Sequence, residues 1–262
     1  MWQLRRSPPY AIAPSGRRMT SAGHSAIDIW TWSLDDWGGN EMSGLSILSG
    51  DEKERASRFV KPQDARRYVV GRAAMRGILG QYVGSAPAAL SFSYNAQGKP
   101  ELAAPGRDPV RFNLSHSAGQ AVLAVSRGFE LGVDIEEVRT FEEDVAGHFF
   151  SKAECAQLQS LPPGDRTLAF FRGWTRKEAF VKATGLGLSL ALDSFDVSLI
   201  DDQQPMLRRM DPSIGSIEDW VLLGLDVPSG FCGAVAVLSR GARVEICYRG
   251  DPGNRPGNTS MT

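Results

Sequence analysis

The sequence lacks the short motifs that mark the common metal-binding and cofactor-binding classes. Its three cysteines, Cys155, Cys232 and Cys247, form no CxxC pair and no zinc-ligand spacing. Three is a small and odd-numbered count of cysteines, which is more typical of a protein in a reducing cytoplasm than of a disulfide scaffold. No Walker loop, GxGxxG fingerprint or GxSxG elbow occurs. Phosphate binding would therefore depend on side chains, and a serine hydrolase built on such an elbow is disfavoured.

The chain also lacks an excess of charge and long apolar runs. Its 29 Lys and Arg against 30 Asp and Glu leave a net charge of −1, so no global basic field argues for a nucleic-acid partner. No run reaches the roughly 18 apolar residues of a transmembrane helix. The basic first residues contain no secretory apolar core, so we expect a disordered extension over 1–24 rather than a transit peptide. The Gly- and Pro-rich residues 250–262 predict a flexible tail.

The first half of the chain is predicted to form a strand, helices and then short strands. Ala26–Ser33 alternates apolar and polar residues as a strand does. Ser49 or Asp51 can cap a short helix, and Pro62 opens a longer helix that ends near Gly84. Strand-like runs follow at 90–95, 110–116, 121–126 and 131–136, of which the last two are predicted to form a hairpin.

The second half repeats this order. A capping box at Ser151 and Glu154 starts one helix. A second helix runs from about Asp165 to Thr184, and Gly185 is expected to stop it. Strand-like runs then continue to about residue 248. We therefore predict an α+β protein of two similar-sized lobes, 25–127 and 128–249, with a ligand cleft between them.

Paired carboxylates stand out in the run LGVDIEEVR. In a strand, Asp134 and Glu136 lie on one face, while Val133 and Ile135 point into the core. Two carboxylates so close together are stable in water, beside a cationic side chain, or sharing a cation such as Mg²⁺. The spacing alone leaves a solvated strand face as the alternative to a metal site.

The helix FFRGWTRKEAFVKAT carries both aromatic residues and charge. Trp174, Glu178 and Lys182 recur one turn apart along one line. Glu178 could be a further metal ligand or a general base, and Lys182 could neutralise a phosphate oxygen. The alternative is a surface pair of glutamate and lysine, although a purely solvated face would not usually carry Trp174 and Phe170.

Other polar residues could bind an anion. Ser115 and His116 follow a strand and are good donors to a phosphate, which would keep His116 protonated. Lys99 lies in a tight Gly-Lys-Pro turn. Cations are also concentrated before and within the first long helix, where they could clamp phosphates or be merely solvated. They are Lys53, Arg55, Arg66, Arg67, Arg72 and Arg76.

Taken in order, the motifs FNLSHS, GVDIE, FFSKAE and WTRKEAFVKATGLGL resemble the signatures of 4′-phosphopantetheinyl transferases of the surfactin (Sfp) type. The helix DARRYVVGRAAMR and the Gly-Lys-Pro turn resemble the family's upstream pattern. The resemblance covers about residues 26–240. It implies two pseudo-symmetric α+β lobes with coenzyme A and Mg²⁺ in the cleft between them.

The resemblance also implies a reaction. A serine hydroxyl of an apo acyl or peptidyl carrier protein attacks the β-phosphate of coenzyme A, and 3′,5′-ADP leaves. Asp134, Glu136 and Glu178 match the metal-binding acids, and Lys182 matches the lysine that acts on the phosphates and leaving group. The base is either Glu178 or a metal-bound water that it orients. Residues that match coenzyme A contacts are Arg67, Tyr68, Arg72, Gly98, Lys99, Pro100, Ser115 and His116, with either Lys53 or Arg55 for the 3′-phosphate.

Two other functions stay open from the sequence. The same acids could serve a Mg²⁺-dependent nucleotide phosphohydrolase, although no phosphohydrolase motif is present. A non-catalytic homologue that binds carrier proteins is the second, although the acids and Lys182 are intact. We expect a cytoplasmic monomer whose carriers belong to fatty acid, polyketide or nonribosomal peptide synthesis, with no nucleic-acid or membrane partner.

Overall fold

A computed structural model describes residues 26–36, 41–103, 109–141, 143–200 and 207–250. The predicted N-terminal extension with His24, and nearly all of the predicted tail, lie outside these ranges. None of the helices in the described ranges is long and apolar enough to cross a bilayer. The elements of the first half are β1 (Ala26–Ser33), α1 (Glu41–Ile47), α2 (Gly50–Ser57), α3 (Pro62–Val83), β2 (Phe92–Tyr94), β3 (Pro100–Leu102), β4 (Arg111–Ser117) and β5 (Gln120–Ser126).

The second half repeats the sequence of strand, helices and strands, which gives the mixed α+β architecture that was predicted. Short 3₁₀ turns join several of its elements. Its elements are β6 (Glu130–Glu137), α4 (Glu143–Phe149), α5 (Lys152–Ser160), α6 (Pro163–Thr184), β7 (Asp196–Val197), β8 (Leu207–Arg209), β9 (Trp220–Gly224), β10 (Phe231–Leu238) and β11 (Glu245–Tyr248).

The helix boundaries follow the predicted signals. Both long helices begin with a proline in the first turn, where the missing N–H would be unpaired in any case. Both end at a glycine in the left-handed region, Gly84 with φ 66° and Gly185 with φ 71°. Ser151 caps α5, and its hydroxyl accepts a hydrogen bond from the backbone N–H of Glu154.

The two main sheets divide the described strands between the two halves of the chain. The first sheet has the order β11-β1-β5-β4, and the second has the order β6-β10-β9. The predicted division near residues 127–130 falls between them. The last strand returns to the first sheet, since β11 pairs in parallel with β1. There Arg249 also forms an ion pair with Asp28.

The predicted hairpin of residues 121–126 with residues 131–136 is wrong. β5 pairs with β1 and β4, whereas β6 pairs with β10 in the other sheet. Val122 and Ala124 of β5 instead belong to the same apolar cluster as Leu131 and Val133 of β6, so the two strands are stacked. Alternating apolar residues predict a strand but do not distinguish pairing within a sheet from packing between sheets. The hairpin partner of β5 is β4.

The cores explain why each long helix lies where it does. An apolar cluster joins α3 to one face of the first sheet, and another joins α6 to one face of the second. A third cluster fills the space between the two sheets. Alternate residues of β6 therefore face opposite sides, with Val133 and Ile135 toward the first sheet and Gly132 and Asp134 toward α6. This alternation places a carboxylate at the junction of the two halves.

Candidate active site

The edge strands β4 and β6 meet through side chains rather than through a backbone ladder. The amide oxygen of Asn113 accepts a hydrogen bond from the backbone N–H of Val133 at 2.8 Å. The hydroxyl of Ser115 donates to Asp134 Oδ1 at 2.8 Å. The hydroxyl of Ser117 donates to Glu136 Oε2 at 2.7 Å. Alternate residues of β4 thus bind the backbone of Val133 and the side chains of Asp134 and Glu136 across the junction of the lobes.

Asp134 is the buried centre of this arrangement, with 2% of its surface exposed. Its Oδ1 accepts hydrogen bonds from Ser115 and from the ammonium of Lys182, the latter at 2.6 Å. Its Oδ2 is buried and has no partner in the structure. A buried carboxylate oxygen without a donor is costly, and a ligand that binds there would satisfy it.

The negative charge of Asp134 affects the pKa values of both Glu136 and Glu178. Burial raises the pKa of Glu178, and the charges of Asp134 and Glu136 raise it further, against the opposing effect of Lys182. Burial and the charge of Asp134 likewise raise the pKa of Glu136, while its hydrogen bond from Ser117 opposes the shift. The three predicted metal-binding acids therefore lie in one electrostatic environment, in which negative charge is in excess.

The acids do not yet form a coordination sphere. In the described ranges, no three His, Cys, Asp or Glu side chains converge closely enough to hold a metal ion. A protein cation occupies the centre instead, since the ammonium of Lys182 donates to Asp134, to Ser115 Oγ at 3.0 Å and to the carbonyl of Val133 at 3.3 Å. The ammonium binds Oδ1 of Asp134, so Oδ2 is the oxygen that remains without a partner.

Helix α6 supplies both Glu178 and Lys182 because they lie one turn apart on its cleft side. The third residue of that line, Trp174, packs against Phe170 with ring centroids 5.9 Å apart and against Phe149 at 5.3 Å. The aromatic part of the helix therefore packs against the core, and only the later turns reach the site.

Two cavities are lined by residues that were predicted to contact coenzyme A or a cation. The first, of about 790 Å³, is lined by Glu178 and Lys182 of α6, by Asn113, and by the loops at 95–100 and 189–193. The second, of about 660 Å³, is lined by the cations Arg55 and Arg58, by the acids Asp51 and Glu54, and by the aromatic rings of Phe59, Tyr68 and Tyr94. The guanidinium of Arg55 lies over the ring of Tyr68, 5.5 Å from its centroid.

His116 lies between the two groups of cations. Desolvation lowers the pKa of His116, and the charges of Lys182 and Arg55 lower it further. In the absence of an anion, this histidine is therefore less readily protonated than an ordinary one. Lys53 is exposed on α2 and does not line the second cavity, whereas Arg55 does. Of the two candidates for the 3′-phosphate, Arg55 is the better placed.

Two other residues that were predicted to contact coenzyme A, Arg67 and Arg72, bind acidic side chains of the protein itself. Arg67 forms a bidentate pair with Asp35, with Nε to Oδ1 at 2.8 Å and Nη2 to Oδ2 at 2.6 Å. Arg72 is buried and its Nε donates to Glu52 at 2.6 Å, while its Nη2 reaches the hydroxyl of Tyr94 at 3.5 Å. Both arginines could approach a ligand only at the edges of their existing pairs.

The Gly-Lys-Pro turn also forms contacts within the protein. Gly98 has a φ of 81°, which favours glycine, and Pro100 begins β3. The ammonium of Lys99 donates to the carbonyls of Leu131 and Lys182, each at 2.9 Å. The turn therefore joins the first lobe to both elements that carry the acidic site.

Sequence reasoning missed Asn113 and Ser117, although a signal was present. The run Asn-Leu-Ser-His-Ser places polar residues at alternate positions of a strand, with the same period as the acids of Val-Asp-Ile-Glu. Two edge strands with matching polar periods can align face to face. What the sequence could not show is that β4 and β6 are neighbours in space.

Comparison with known proteins identifies the family. The 4′-phosphopantetheinyl transferase superfamily model matches residues 130–232, and the 4′-phosphopantetheinyl transferase N-terminal model matches residues 30–128. The transferase HetI of Nostoc sp. is 36% identical over 219 residues, which cover 82% of this chain and 89% of the relative. The transferase Sfp of Bacillus subtilis is 33% identical over 167 residues, which cover 64% and 73%. The chain therefore belongs to the 4′-phosphopantetheinyl transferase superfamily, and within it to the Sfp type.

One solved structure resembles part of the fold. The holo-[acyl-carrier-protein] synthase of Thermotoga maritima is 21% identical, with a TM-score of 0.34, over 43% of this chain and 64% of that chain. A likeness this partial does not bear on the site.

Proposed function

We propose that this chain transfers the 4′-phosphopantetheine group of coenzyme A to a serine hydroxyl of an apo acyl or peptidyl carrier protein, releasing 3′,5′-ADP. The observation that carries the proposal is the contact of Lys182 with both Asp134 and Ser115 at the wall of an open cleft, with Glu178 one turn away. Phosphoryl transfer needs charge neutralisation and positioning rather than covalent chemistry, and this group of residues supplies both.

The nucleotide end of coenzyme A fits the second cavity. Arg55 provides a cation for the 3′-phosphate, and the rings of Tyr68 and Tyr94 provide flat surfaces for the adenine. His116, between Arg55 and Lys182, would lie along the path of the pyrophosphate. A phosphate there would raise the pKa of His116 back toward and above its ordinary value, because opposite charge favours the protonated ring.

The donor types of these residues suit a divalent cation, and the three acids would have to move closer together to bind one. Asp134 has an unpartnered buried oxygen, and the pKa values of Glu136 and Glu178 are raised by burial and by neighbouring negative charge. Mg²⁺ prefers oxygen ligands and is often held by one or two carboxylates together with substrate phosphates. Asp134, Glu136 and Glu178 would hold it, and it would supply charge neutralisation at the pyrophosphate.

The side chains then have separate roles. Glu178 accepts the proton of the attacking serine hydroxyl, since it lines the cleft one helical turn from Lys182. As the bond from the serine oxygen to the β-phosphorus forms, the bond from that phosphorus to the leaving phosphate breaks. Lys182 stabilises the charge that develops on 3′,5′-ADP, once its ammonium has left Asp134 for the phosphate.

We also propose that the protein works as a monomer in the cytoplasm. Both walls of the cleft come from one chain, so no second subunit is needed to complete the site. No disulfide joins the three cysteines in the described part of the chain, which agrees with a reducing compartment.

The test is incubation of the protein with apo carrier proteins, coenzyme A and Mg²⁺, followed by intact-protein mass spectrometry. We expect the carrier to gain the mass of phosphopantetheine and 3′,5′-ADP to appear in equal amount. A panel of carriers from fatty acid, polyketide and nonribosomal peptide systems, ranked by kcat/KM, identifies the pathway. No mass gain on any carrier would refute the transfer. Hydrolysis of coenzyme A without a carrier would indicate a phosphohydrolase, and carrier binding without transfer would indicate a docking protein.

A further inference from the structure

Lys99 is bound in an unusual way for a lysine near an anion site. Its side chain is only partly exposed, and in the described part of the chain its ammonium donates to two carbonyl oxygens and to no carboxylate. An ammonium has three donors, so one is left for solvent or a ligand. Two neutral carbonyls from two different elements indicate a structural connection rather than a phosphate clamp.

One carbonyl belongs to β6, which carries Asp134, and the other belongs to α6, which carries Lys182. Leu131 precedes Asp134 on β6, and Lys182 lies in the last turn of α6. The last carbonyls of a helix lack partners within the helix and form the negative end of its dipole, so a cation there is favourable. Lys99 therefore holds the end of α6 by the backbone of the residue whose side chain reaches Asp134.

The backbones of β6 and α6 touch at this point. A Cβ on Gly132 would overlap the carbonyl oxygen of Ala179 and the backbone N of Ala183. At Gly132 itself no side chain separates the strand from the helix, so their backbones are in direct contact. The ammonium of Lys99, bonded to both, supplies a fixed point beside the contact.

The turn that presents Lys99 is itself rigid. The side-chain oxygen of Asn95 accepts hydrogen bonds from the backbone N–H groups of Lys99 at 2.8 Å and Gln97 at 3.0 Å. The backbone N–H of Asn95 donates to the carbonyl of Lys99 at 3.0 Å. Across the junction, a Cβ on Gly187 would overlap the side chain of Gln97, so the loop after α6 packs directly on this turn.

We propose that Lys99 is a positioning residue, which fixes the end of α6 against β6 through the carbonyls of Lys182 and Leu131 and so aims the Lys182 ammonium at the site. The inference rests on the role proposed above for Lys182, and it replaces the expectation that Lys99 binds coenzyme A directly. Losing Lys99 should weaken what Lys182 does in the transition state while leaving coenzyme A binding nearly intact.

A double-mutant cycle on kcat tests this inference. We expect Lys99→Met to lower kcat by about tenfold with the KM for coenzyme A changed by less than about twofold. In a Lys182→Met background, Lys99→Met should cause almost no further loss, because residues that act as a unit are non-additive. Lys152→Met removes an exposed lysine on α5 and is the matched control, with unchanged kcat.

The other outcomes overturn the inference. A direct coenzyme A contact would raise KM and the calorimetric Kd for coenzyme A, and a purely structural lysine would cause the same loss in both backgrounds. If thermal melting shows that Lys99→Met does not fold, Lys99→Arg replaces it, because arginine keeps the charge but shifts the donors. Lys99→Arg should lower kcat by a smaller factor. In the Lys182→Met background it should cause no further loss of kcat. A wild-type protein that transfers nothing refutes the proposed function, whereas an active wild type with an additive cycle refutes only the role of Lys99.

Discussion

The long helices of the two lobes, α3 and α6, are anchored in the same way. Each has 22 residues and is preceded by a short helix whose capping-box glutamate, Glu52 or Glu154, is buried. Each glutamate binds the residue at the fifteenth position of the long helix. Arg76 Nε lies 2.7 Å from Glu52 Oε2, and Lys177 Nζ lies 2.8 Å from Glu154 Oε2. This correspondence gives Lys177, whose role the sequence left unassigned, a structural function.

The lobes differ in the residues around that shared anchor. In α3, the next position is Gly77, and Gln81 lies one turn further; in α6, the same positions hold Glu178 and Lys182. Glu52 also binds a second cation, Arg72, whereas Glu154 uses its other oxygen for the backbone N–H of Val197. The residues proposed to act in catalysis therefore occupy these positions in the second lobe.

The comparison teaches that charge in α6 has two separate purposes. Lys177 is fully buried, and its three donors go to Glu154 and to the carbonyls of Leu192 and Phe195, each of these at 2.7 Å. Arg176 is also buried and donates to the carbonyl of Ser198 at 2.6 Å. Adjacent residues in one motif thus divide between holding the fold and facing the cleft, which is why the helix combines charge with aromatic bulk.

The largest expected effect is the loss of the acid that only the second lobe has. Glu178→Gln should lower turnover by at least about a hundredfold, because it removes the proposed base and a charge that would hold the cation. The melting temperature should change little, since the side chain is only partly buried. Transfer measured by mass spectrometry checks this. Glu137→Gln, which alters an exposed acid of β6, is the control, and unchanged turnover in Glu178→Gln would falsify the role.

A matched pair of substitutions then tests the twentieth helix position. Lys182→Met should lower kcat by about a hundredfold or more, as expected for loss of a group that stabilises transition-state charge. Gln81→Met, at the same position of α3, should leave kcat unchanged because Gln81 is exposed and donates only to the carbonyl of Gly77. Equal losses in the two variants would show that the lobes do not differ in the way described.

The free energy of unfolding should distinguish the pair of Lys177 and Glu154 from the pair of Arg76 and Glu52. Lys177→Met leaves Glu154 buried without a cation, so we expect a loss of about 3–5 kcal/mol in the free energy of unfolding. Arg76→Met should cost less, roughly 1–3 kcal/mol, because Arg72 continues to neutralise Glu52. Urea unfolding of both variants measures the difference. An equal or greater loss in Arg76→Met would contradict this account of the anchors.

The smallest effect is expected at the exposed pair of Arg67 and Asp35. The hydrogen bond from Arg67 lowers the pKa of Asp35 from its ordinary 3.8. The pair's contribution is therefore complete above that value and is lost as the pH falls through the lowered pKa. Asp35→Asn should cost about 1 kcal/mol or less at neutral pH, because solvent screens the pair. In unfolding measured against pH, the difference from wild type should shrink in acid; a difference independent of pH would argue against the ion pair as its cause.

Much of the local structure could be predicted because its causes are local. The helix ends at Gly84 and Gly185, the capping box at Ser151 and the strand at Ala26–Ser33 follow from residues within a few positions of one another. The pairing of strands could not be predicted, and the supposed β5–β6 hairpin was wrong, because pairing depends on residues far apart in the chain.

The same distinction between local and long-range causes applies to the candidate site. The sequence by itself determined that Asp134 and Glu136 share a strand face and that Glu178 and Lys182 share a helix face, since the periods of the backbone impose both relations. Only the tertiary structure decided that these two faces meet, that Ser115 and Ser117 align the acids, and that Lys99 bonds to the carbonyls of both elements. Those contacts join parts of the chain that are distant in sequence, and packing of the two sheets against each other brings them together.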